Sequence, residues 1–292
     1  MSKDPAKSQI SHLIQLLDDR DAFVRARVRD ELLRLGEDAL PFLEMAARGD
    51  NSTLRPYARE VIEALLPLRL AEKFRRLSPL GSRRDLDLET GALLLMEFGH
   101  PGADARETVR RLDVLAEELA KLLNENDAPA TTVEMLSRFL FVDKGFRGNQ
   151  ENFFDPDNSY LNRVLETRMG IPITLSAVCL FVGWRLGLPL EGVGLPGHFI
   201  VKYKVPGNDL FFDPFSGGRP LDRDQCAQIV ESFGNSFEEI HLAAATHRET
   251  LIRMMNNLIM IYRNNHQQPK ADQLGDYVRI LLGSPGRHGK PA

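Results

Sequence analysis

Cysteine is scarce in this chain of 292 residues, which contains only Cys179 and Cys226. Two cysteines that lie 47 positions apart cannot form the framework of a disulfide-stapled secreted domain. No His-x-x-x-His or Cys-x-x-Cys spacing occurs, although metal ligands on one helix or turn need such spacing. No glycine-rich phosphate loop leads from a strand into a helix. The sequence therefore predicts no metal and no cofactor.

An excess of positive charge is also missing. The chain has 37 lysines and arginines against 41 acidic residues, so we expect no binding to nucleic acid or to an anionic membrane. Its basic cluster, residues 75–84, is typical of a solvated linker. The first residues have no apolar signal region, and this absence together with the few cysteines predicts a reducing cytoplasm.

Uninterrupted apolar runs are absent as well. The most apolar window, residues 171–190, has about the length of a membrane span, but Thr174, Ser176 and Arg185 interrupt it. A buried core helix is the better interpretation, and no membrane span is predicted. With 43% hydrophobic residues, the chain is long enough to form two domains.

The segment 1–75 contains a repeat with a period of thirty residues. Each copy has the apolar spacing of two helices, and polar turns separate the helices at residues 18–21 and 49–52. The pattern resembles HEAT repeats, which favour protein interaction over chemistry. An ordinary helical bundle is the alternative. The recurring positions are Leu13, Val24, Arg25, Val28, Leu32 and Leu35, which return as Leu43, Leu54, Arg55, Ala58, Ile62 and Leu65.

Two helices are predicted between residues 158 and 186. Asn158 or Ser159 is placed to cap the first helix, which Gly170 closes. Pro172 suits the first turn of the second helix, which extends to about Leu186.

Two strands follow these helices, at residues 193–205 with a break at 194–197, and at residues 210–213. His198 lies at the start of the first strand and Asp213 at the end of the second. Cys179 lies on the helix before them. This is the order of cysteine, histidine and aspartate in papain-like and transglutaminase-like enzymes.

Residues 87–233 closely resemble a bacterial transglutaminase-like family of the SirB type, described as regulators of virulence-gene expression, whose members carry tetratricopeptide-like helices after the core. The resemblance implies a papain-like α+β fold, which we assign to residues 86–240. It also implies that His198 and Asp213 match the family's histidine and aspartate, where the aspartate orients the imidazole. The matching stretches are Phe139-Leu-Phe, Gly145-Phe-Arg-Gly-Asn, Asp155-Pro-Asp-Asn-Ser-Tyr-Leu-Asn, Arg168-Met-Gly-Ile-Pro-Ile-Thr-Leu, Gly187-Leu-Pro-Leu, Leu195-Pro-Gly-His-Phe and Asp213-Pro-Phe.

The cysteine is where this chain departs from the wider superfamily. Active members place the nucleophile at the N-terminus of the core helix, about fifteen positions before the next Gly-Ile-Pro, and the same count back from Gly187 reaches Pro172. The helix dipole would stabilise a thiolate at that position. Cys179 lies seven residues later, roughly 10 Å along a helix that rises about 1.5 Å per residue. It shares an apolar stripe there, which predicts a core thiol with a raised pKa.

Three alternatives stay open for this site. Thr174 or Ser176 could supply a hydroxyl nucleophile in place of the thiol. His198 and Asp213 could be a polar pair that only joins two strands. The third alternative is a pocket that binds a peptide, an amide or a small ligand without cleaving it, and its candidate residues are Asn158, Pro172, Thr174 and Ser176.

Residues 249–264 and 271–282 have the spacing of two amphipathic helices. The pair resembles one tetratricopeptide unit, which we assign to residues 246–283, and residues 284–292 are expected to be disordered. The predicted fold class is therefore α+β and mostly helical. It combines N-terminal HEAT-like repeats, a papain- or transglutaminase-like core with a small antiparallel sheet, and a C-terminal tetratricopeptide-like hairpin.

The function predicted from these features is that of a non-catalytic or strongly diverged transglutaminase-like protein. It would act as a protein-interaction or regulatory module with a protein partner. The enzyme hypothesis is a cysteine-dependent amidase, protease or acyltransferase that uses Cys179, His198 and Asp213. Pro172 at the nucleophile position favours the non-catalytic hypothesis.

Overall fold

The computed structural model describes residues 5–77 and 85–283. The chain divides into two compact units, Met1–Arg76 and Leu77–Ala292. Two predictions fall on residues outside the described ranges: the disordered tail at 284–292 and most of the basic linker, at 78–84. Within the described ranges, no helix is both long enough and apolar enough to cross a membrane.

The first unit, as far as it is described, contains two pairs of helices. Leu32 from the first repeat copy and Leu43, Ala58 and Leu65 from the second are fully buried in its core. The two-pair arrangement agrees with the period of thirty residues, and the relationship to HEAT repeats stays a prediction. The helices are α1 (Pro5–Gln15), α2 (Ala22–Leu35), α3 (Leu40–Arg48) and α4 (Leu54–Leu77), with a 3-10 turn at Gly36–Asp38.

The two polar turns of the first unit cap the helices that follow them. The Asp21 side chain accepts a hydrogen bond from the Phe23 backbone N–H at 2.8 Å, at the start of α2. Asn51 accepts from the backbone of Thr53 in the same way, at 3.0 Å, just before α4. The Thr53 hydroxyl also donates to the Asp18 carboxylate at 2.7 Å. The two caps fix the starts of α2 and α4. The Thr53–Asp18 hydrogen bond links the turns of the two helix pairs.

The second unit is mostly helical, with helices on either side of its short strands. A π-helical segment, Arg138–Asp143, continues the helix at Pro129–Ser137, and a 3-10 turn occupies Pro156–Ser159. The described helices are α5 (Leu88–Gly99), α6 (Ala105–Ala120), α7 (Pro129–Ser137), α8 (Leu161–Thr167), α9 (Pro172–Arg185), α10 (Arg223–Ser232), α11 (His247–Asn264) and α12 (Gln268–Leu281).

In the described part of the second unit, the strands form one two-stranded parallel pair and one four-stranded antiparallel sheet. The parallel pair consists of β1 (Arg147–Gly148) and β2 (Met169–Gly170). The antiparallel sheet has the order β3-β4-β5-β6, in which Val193 pairs with Ile200, Tyr203 with Leu210 and Asp213 with Arg219. Its strands are β3 (Leu190–Val193), β4 (Ile200–Tyr203), β5 (Leu210–Asp213) and β6 (Arg219–Leu221).

On each outer strand of this sheet, some of the backbone groups that a further strand would pair with are already bonded or absent. On β3, Val193 forms an antiparallel bridge with Ala244, and the Ala245 N–H donates to the Gly192 carbonyl at 2.8 Å. At the other side of the sheet, Pro220 lies in the middle of β6. Proline has no backbone N–H to offer a further strand.

Helix α9 is the centre of the second unit. Every residue from Pro172 to Gly183 is buried, because the helix packs against α6 on one side and against the antiparallel sheet on the other. Its C-terminal end is fixed by Arg185, which pairs with the Glu89 carboxylate of α5 at 2.6 Å and with Asp113 of α6 at 2.7 Å. The prediction of a buried core helix is confirmed for Pro172–Arg185, while the end of the apolar window already belongs to the turn before β3 and to Leu190 of that strand.

The predicted caps of α8 were wrong. Tyr160, rather than Asn158 or Ser159, occupies the N-cap position, and its side chain makes no capping hydrogen bond. Asn158 and Ser159 lie in the preceding 3-10 turn instead. At the other end, Arg168 takes the left-handed conformation with φ 63°, two residues before the predicted Gly170. The αL position closes the helix as a glycine would.

The C-terminal helices α11 and α12 form a hairpin whose apolar stripe is buried, as its spacing predicted. Leu251, Met254 and Leu258 of α11 are at most 1% exposed. The hydroxyls of Tyr262 on α11 and Tyr160 lie 2.6 Å apart in the interior. These two helices fall in the same compact unit as the core.

Candidate functional site

His198 and Asp213 come together because the antiparallel sheet brings their segments side by side. His198 lies on the connection from β3 to β4, and Asp213 is the last residue of β5. The Nε2 atom of His198 lies 3.0 Å from Oδ2 of Asp213, with both side chains largely buried. This contact is an ion pair when the ring is protonated.

Three groups contact the Asp213 carboxylate: the His198 ring, the Phe215 backbone N–H and the Ser216 hydroxyl. Its Oδ1 atom accepts from the Phe215 backbone N–H at 2.9 Å, and its Oδ2 atom accepts from the Ser216 hydroxyl at 2.7 Å. Burial alone would raise the pKa of this carboxyl. The contact with the His198 ring and these two donors outweigh burial, so the pKa of Asp213 lies below its ordinary value. The carboxylate is therefore ionised and fixed beside the imidazole.

The start of α9 presents Pro172 as the first helical residue, after Ile171 at the N-cap. Asn158 supports this start, since its carbonyl accepts from the Ile171 N–H at 3.3 Å. The Asn158 side chain is itself bound on both sides, donating to the Asn152 carbonyl at 2.7 Å and accepting from Asn149 at 3.0 Å. Asn158 thus ties the loop before α8 to the beginning of α9.

The three candidate nucleophiles of α9 are all fully buried. Cys179 is 0% exposed, and burial raises the pKa of its thiol far above the ordinary value. The Ser176 hydroxyl donates to the carbonyl of Phe199 at 3.4 Å. Phe199 directly follows His198 in the chain. The Thr174 hydroxyl has no hydrogen-bond partner in the described part of the chain. No hydrogen bond joins Cys179 to His198 within the described ranges.

A cleft of about 550 Å³ is lined in part by Phe215 and Ser216, which contact His198 and Asp213 respectively. The Phe215 ring lies edge-on to the His198 ring with centroids 6.2 Å apart, and the Phe153 ring is a second aromatic neighbour at 5.9 Å. Phe215 therefore contacts both the cleft and the imidazole. The cleft is lined by Arg147, Gly148, Asn149, Gln150, Glu151, Met169, Phe215 and Ser216.

Sequence reasoning missed Phe215 and Ser216, although both follow the Asp213-Pro motif that it used. A side chain that follows Asp-Pro can fold back onto the aspartate through a tight turn, and that signal would have found Ser216. A larger cleft of about 900 Å³ lies between α7, β5 and β6, but none of the candidate residues lines it. Among the described residues, no three of His, Cys, Asp and Glu converge in a way that could hold a metal ion.

A family model described as the transglutaminase-like superfamily matches residues 106–256 of this chain. A "UPF0162 protein" from Xylella fastidiosa (strain 9a5c) is 35% identical over 203 residues, which cover 68% of this chain and 72% of that protein. A "UPF0162 protein" from Vibrio cholerae is 31% identical over 134 residues, or 45% of this chain and 49% of the relative.

A more distant likeness extends to eukaryotes. Human "F-box only protein 21" is 24% identical over 176 residues, which cover 56% of this chain but 27% of that protein. The shared region is thus a small part of a longer chain there. No solved structure matches the chain.

Proposed function

Since this chain belongs to the transglutaminase-like superfamily, we propose that it is a non-catalytic or strongly diverged member that acts as a protein-interaction or regulatory module. One observation carries the proposal. The N-terminus of α9 presents Pro172, while the thiol of the same helix, Cys179, is fully buried.

The chemistry of acyl transfer explains why this placement matters. The attacking species is a thiolate, which must lie within hydrogen-bond reach of the imidazole that activates it. Proline supplies no nucleophile at all. Cys179 stays a neutral thiol because burial raises its pKa, and it lies seven residues into the helix. The buried hydroxyls of Thr174 and Ser176 do not reach solvent.

The groups that remain suit recognition better than turnover. His198 and the ionised Asp213 form a fixed polar pair beneath Phe215, next to the cleft. Arg147 and Glu151, two exposed residues of the cleft lining, carry opposite charges. A segment of a protein partner that enters this cleft would meet donors, acceptors and an aromatic ring. We propose the cleft as the place where a partner is held.

The state of the Cys179 thiol tests the non-catalytic assignment. We would alkylate the Cys226→Ala variant, in which Cys179 is the remaining thiol, with iodoacetamide between pH 6 and pH 9, and use Cys179→Ala/Cys226→Ala as the blank. We expect alkylation only after denaturant unfolds the protein. Rapid native alkylation with an apparent pKa below about 7 would instead support the enzyme that uses Cys179, His198 and Asp213.

Partner capture tests the cleft separately. A photo-crosslinking amino acid would replace Gln150, an exposed residue of the cleft, and in a matched control Glu231, an exposed residue of α10. We expect a discrete protein adduct from position 150 that is absent at position 231. Equal adducts at both positions, or none at position 150, would contradict recognition through this cleft.

The finer relationships belong to the same proposal. We propose that the first unit is HEAT-like, that α11 and α12 are tetratricopeptide-like, and that the chain is of the SirB type with a regulatory role. Helical pairs in both places support the first two statements. Cytoplasmic localisation is also proposed, because Cys179 and Cys226 are free thiols.

A further inference from the structure

One arginine of the C-terminal hairpin reaches the segment that carries His198. Arg253 lies on α11, and its Nη2 atom donates to the Leu195 carbonyl and to the His198 carbonyl, both at 2.7 Å. The Leu195 carbonyl also accepts from the His198 backbone N–H at 3.1 Å. A single guanidinium nitrogen therefore spans the two ends of the turn from Leu195 to His198.

The surroundings of Arg253 show that this contact is specific. No carboxylate pairs with the Arg253 guanidinium within the described ranges, whereas the partly buried Arg163 and Arg185 have acidic partners. Its charge is balanced by carbonyl dipoles and by the Phe199 ring, whose centroid lies 5.7 Å away. A Cβ atom at Gly194 would come within 3.2 Å of Nη1, so glycine leaves the guanidinium room to approach. Burial lowers the pKa of Arg253, in keeping with this unpaired position.

We infer that Arg253 is a positioning residue that fixes the His198 imidazole against Asp213 and thereby couples the α11–α12 hairpin to the candidate site. The turn 195–198 connects β3 to β4 without belonging to either strand. His198 projects directly from the tethered backbone, so a shift of the carbonyls re-aims the ring. A partner that displaces α11 would loosen His198 in the same step. This coupling goes beyond the proposed function, because it holds whether the site recognises a partner or performs chemistry.

The test compares Arg253→Met, which keeps the aliphatic stem but removes the donors, with Arg253→Lys, which keeps a charge and a donor. Arg263→Met is the matched control, since Arg263 is exposed on the same helix. The readout is the pair of imidazole ¹⁵N chemical shifts of His198 in the full-length protein, together with amide hydrogen exchange over residues 195–201.

In Arg253→Met we expect the His198 ¹⁵N signals to move while those of His100 and His247 stay in place. We also expect amide exchange over residues 195–201 to accelerate at least tenfold, with exchange in α9 unchanged. Arg253→Lys should restore part of both effects, and Arg263→Met should match the wild type. If Arg253→Met does not fold, Arg253→Lys decides, because its His198 signals must then differ from those of the wild type. His198 signals that coincide with the wild type in the folded variant, or an equal change in Arg263→Met, would overturn the inference.

Discussion

The sulfur of Cys179 should behave as a part of the core, and its replacement gives a stability series with a defined order. Cys179→Ala removes one buried atom larger than a methylene, which is worth about 1 kcal/mol in transfer free energy, and leaves a small cavity. We therefore expect a loss of about 1–2 kcal/mol. Cys179→Ser keeps the shape of the side chain but buries a hydroxyl among apolar side chains. We expect this to lower the free energy of unfolding by about 1–3 kcal/mol more than alanine does. The expected order of stability is wild type, then alanine, then serine.

Urea unfolding followed by tryptophan fluorescence measures this series. Trp184 is the chain's one tryptophan and lies on α9, five residues after Cys179. Its signal therefore reports the unit that contains the site, whatever the first unit does. Substitution at an exposed nucleophile would change stability by less than about 0.5 kcal/mol. A serine variant as stable as the wild type would show that the thiol is not in the core and would refute the reasoning behind the non-catalytic proposal.

Three further measurements follow from the site and its supports. Because the pKa of Asp213 is lowered in the folded protein, its ionised form stabilises the fold above the ordinary aspartate pKa of about 3.9, and this stabilisation is lost as the pH falls through the pKa of the folded state. The urea midpoints of the wild type and of Asp213→Asn should therefore converge below about pH 4. A difference between the two midpoints that stays constant with pH would contradict this. Gly148→Ala places a Cβ atom 2.6 Å from the Phe215 ring and should cost about 1–3 kcal/mol. Gly275→Ala on α12, whose Cβ atom would meet the flexible Arg279 side chain at an ordinary 3.8 Å, should stabilise by about 0.5–1 kcal/mol, and equal shifts of the melting temperature in the two variants would contradict this. Tyr262→Phe leaves the Tyr160 hydroxyl buried without its partner and should cost about 1–3 kcal/mol in chemical denaturation, while the double phenylalanine variant should recover part of that loss.

The parts of the fold that the sequence predicted well are those set by local patterns. Leu210–Asp213 was predicted as a strand with the bounds that the structure has, since a short run rich in aromatic residues follows the turn residues Asn208 and Asp209. Pro172 marked the start of α9, because proline fits the first turn and no later position. Periodicity likewise found the helices of the first unit.

The parts that it missed depend on contacts between distant segments. The β1–β2 pair has two residues in each strand, too few for any period to show. Strand β6 contains Pro220, which argues against a strand in isolation. Arg253 contacts a turn that lies 55 residues earlier in the chain, and no local signal connects them. The family resemblance implied the contact between His198 and Asp213. The packing of the Phe215 ring against the His198 ring could be found only from the structure.

The backbone of the antiparallel sheet limits how a partner can attach to it. Exposed edges of sheets invite another chain to add a strand through main-chain hydrogen bonds. Here β3 already engages Ala244 and Ala245, and β6 carries Pro220 at its centre. These features occupy the Gly192–Val193 end of β3 and remove one donor from β6, so they hinder the addition of a further strand at those positions. The proposed partner is therefore expected to be recognised by side chains, and the same features work against strand pairing with a second copy.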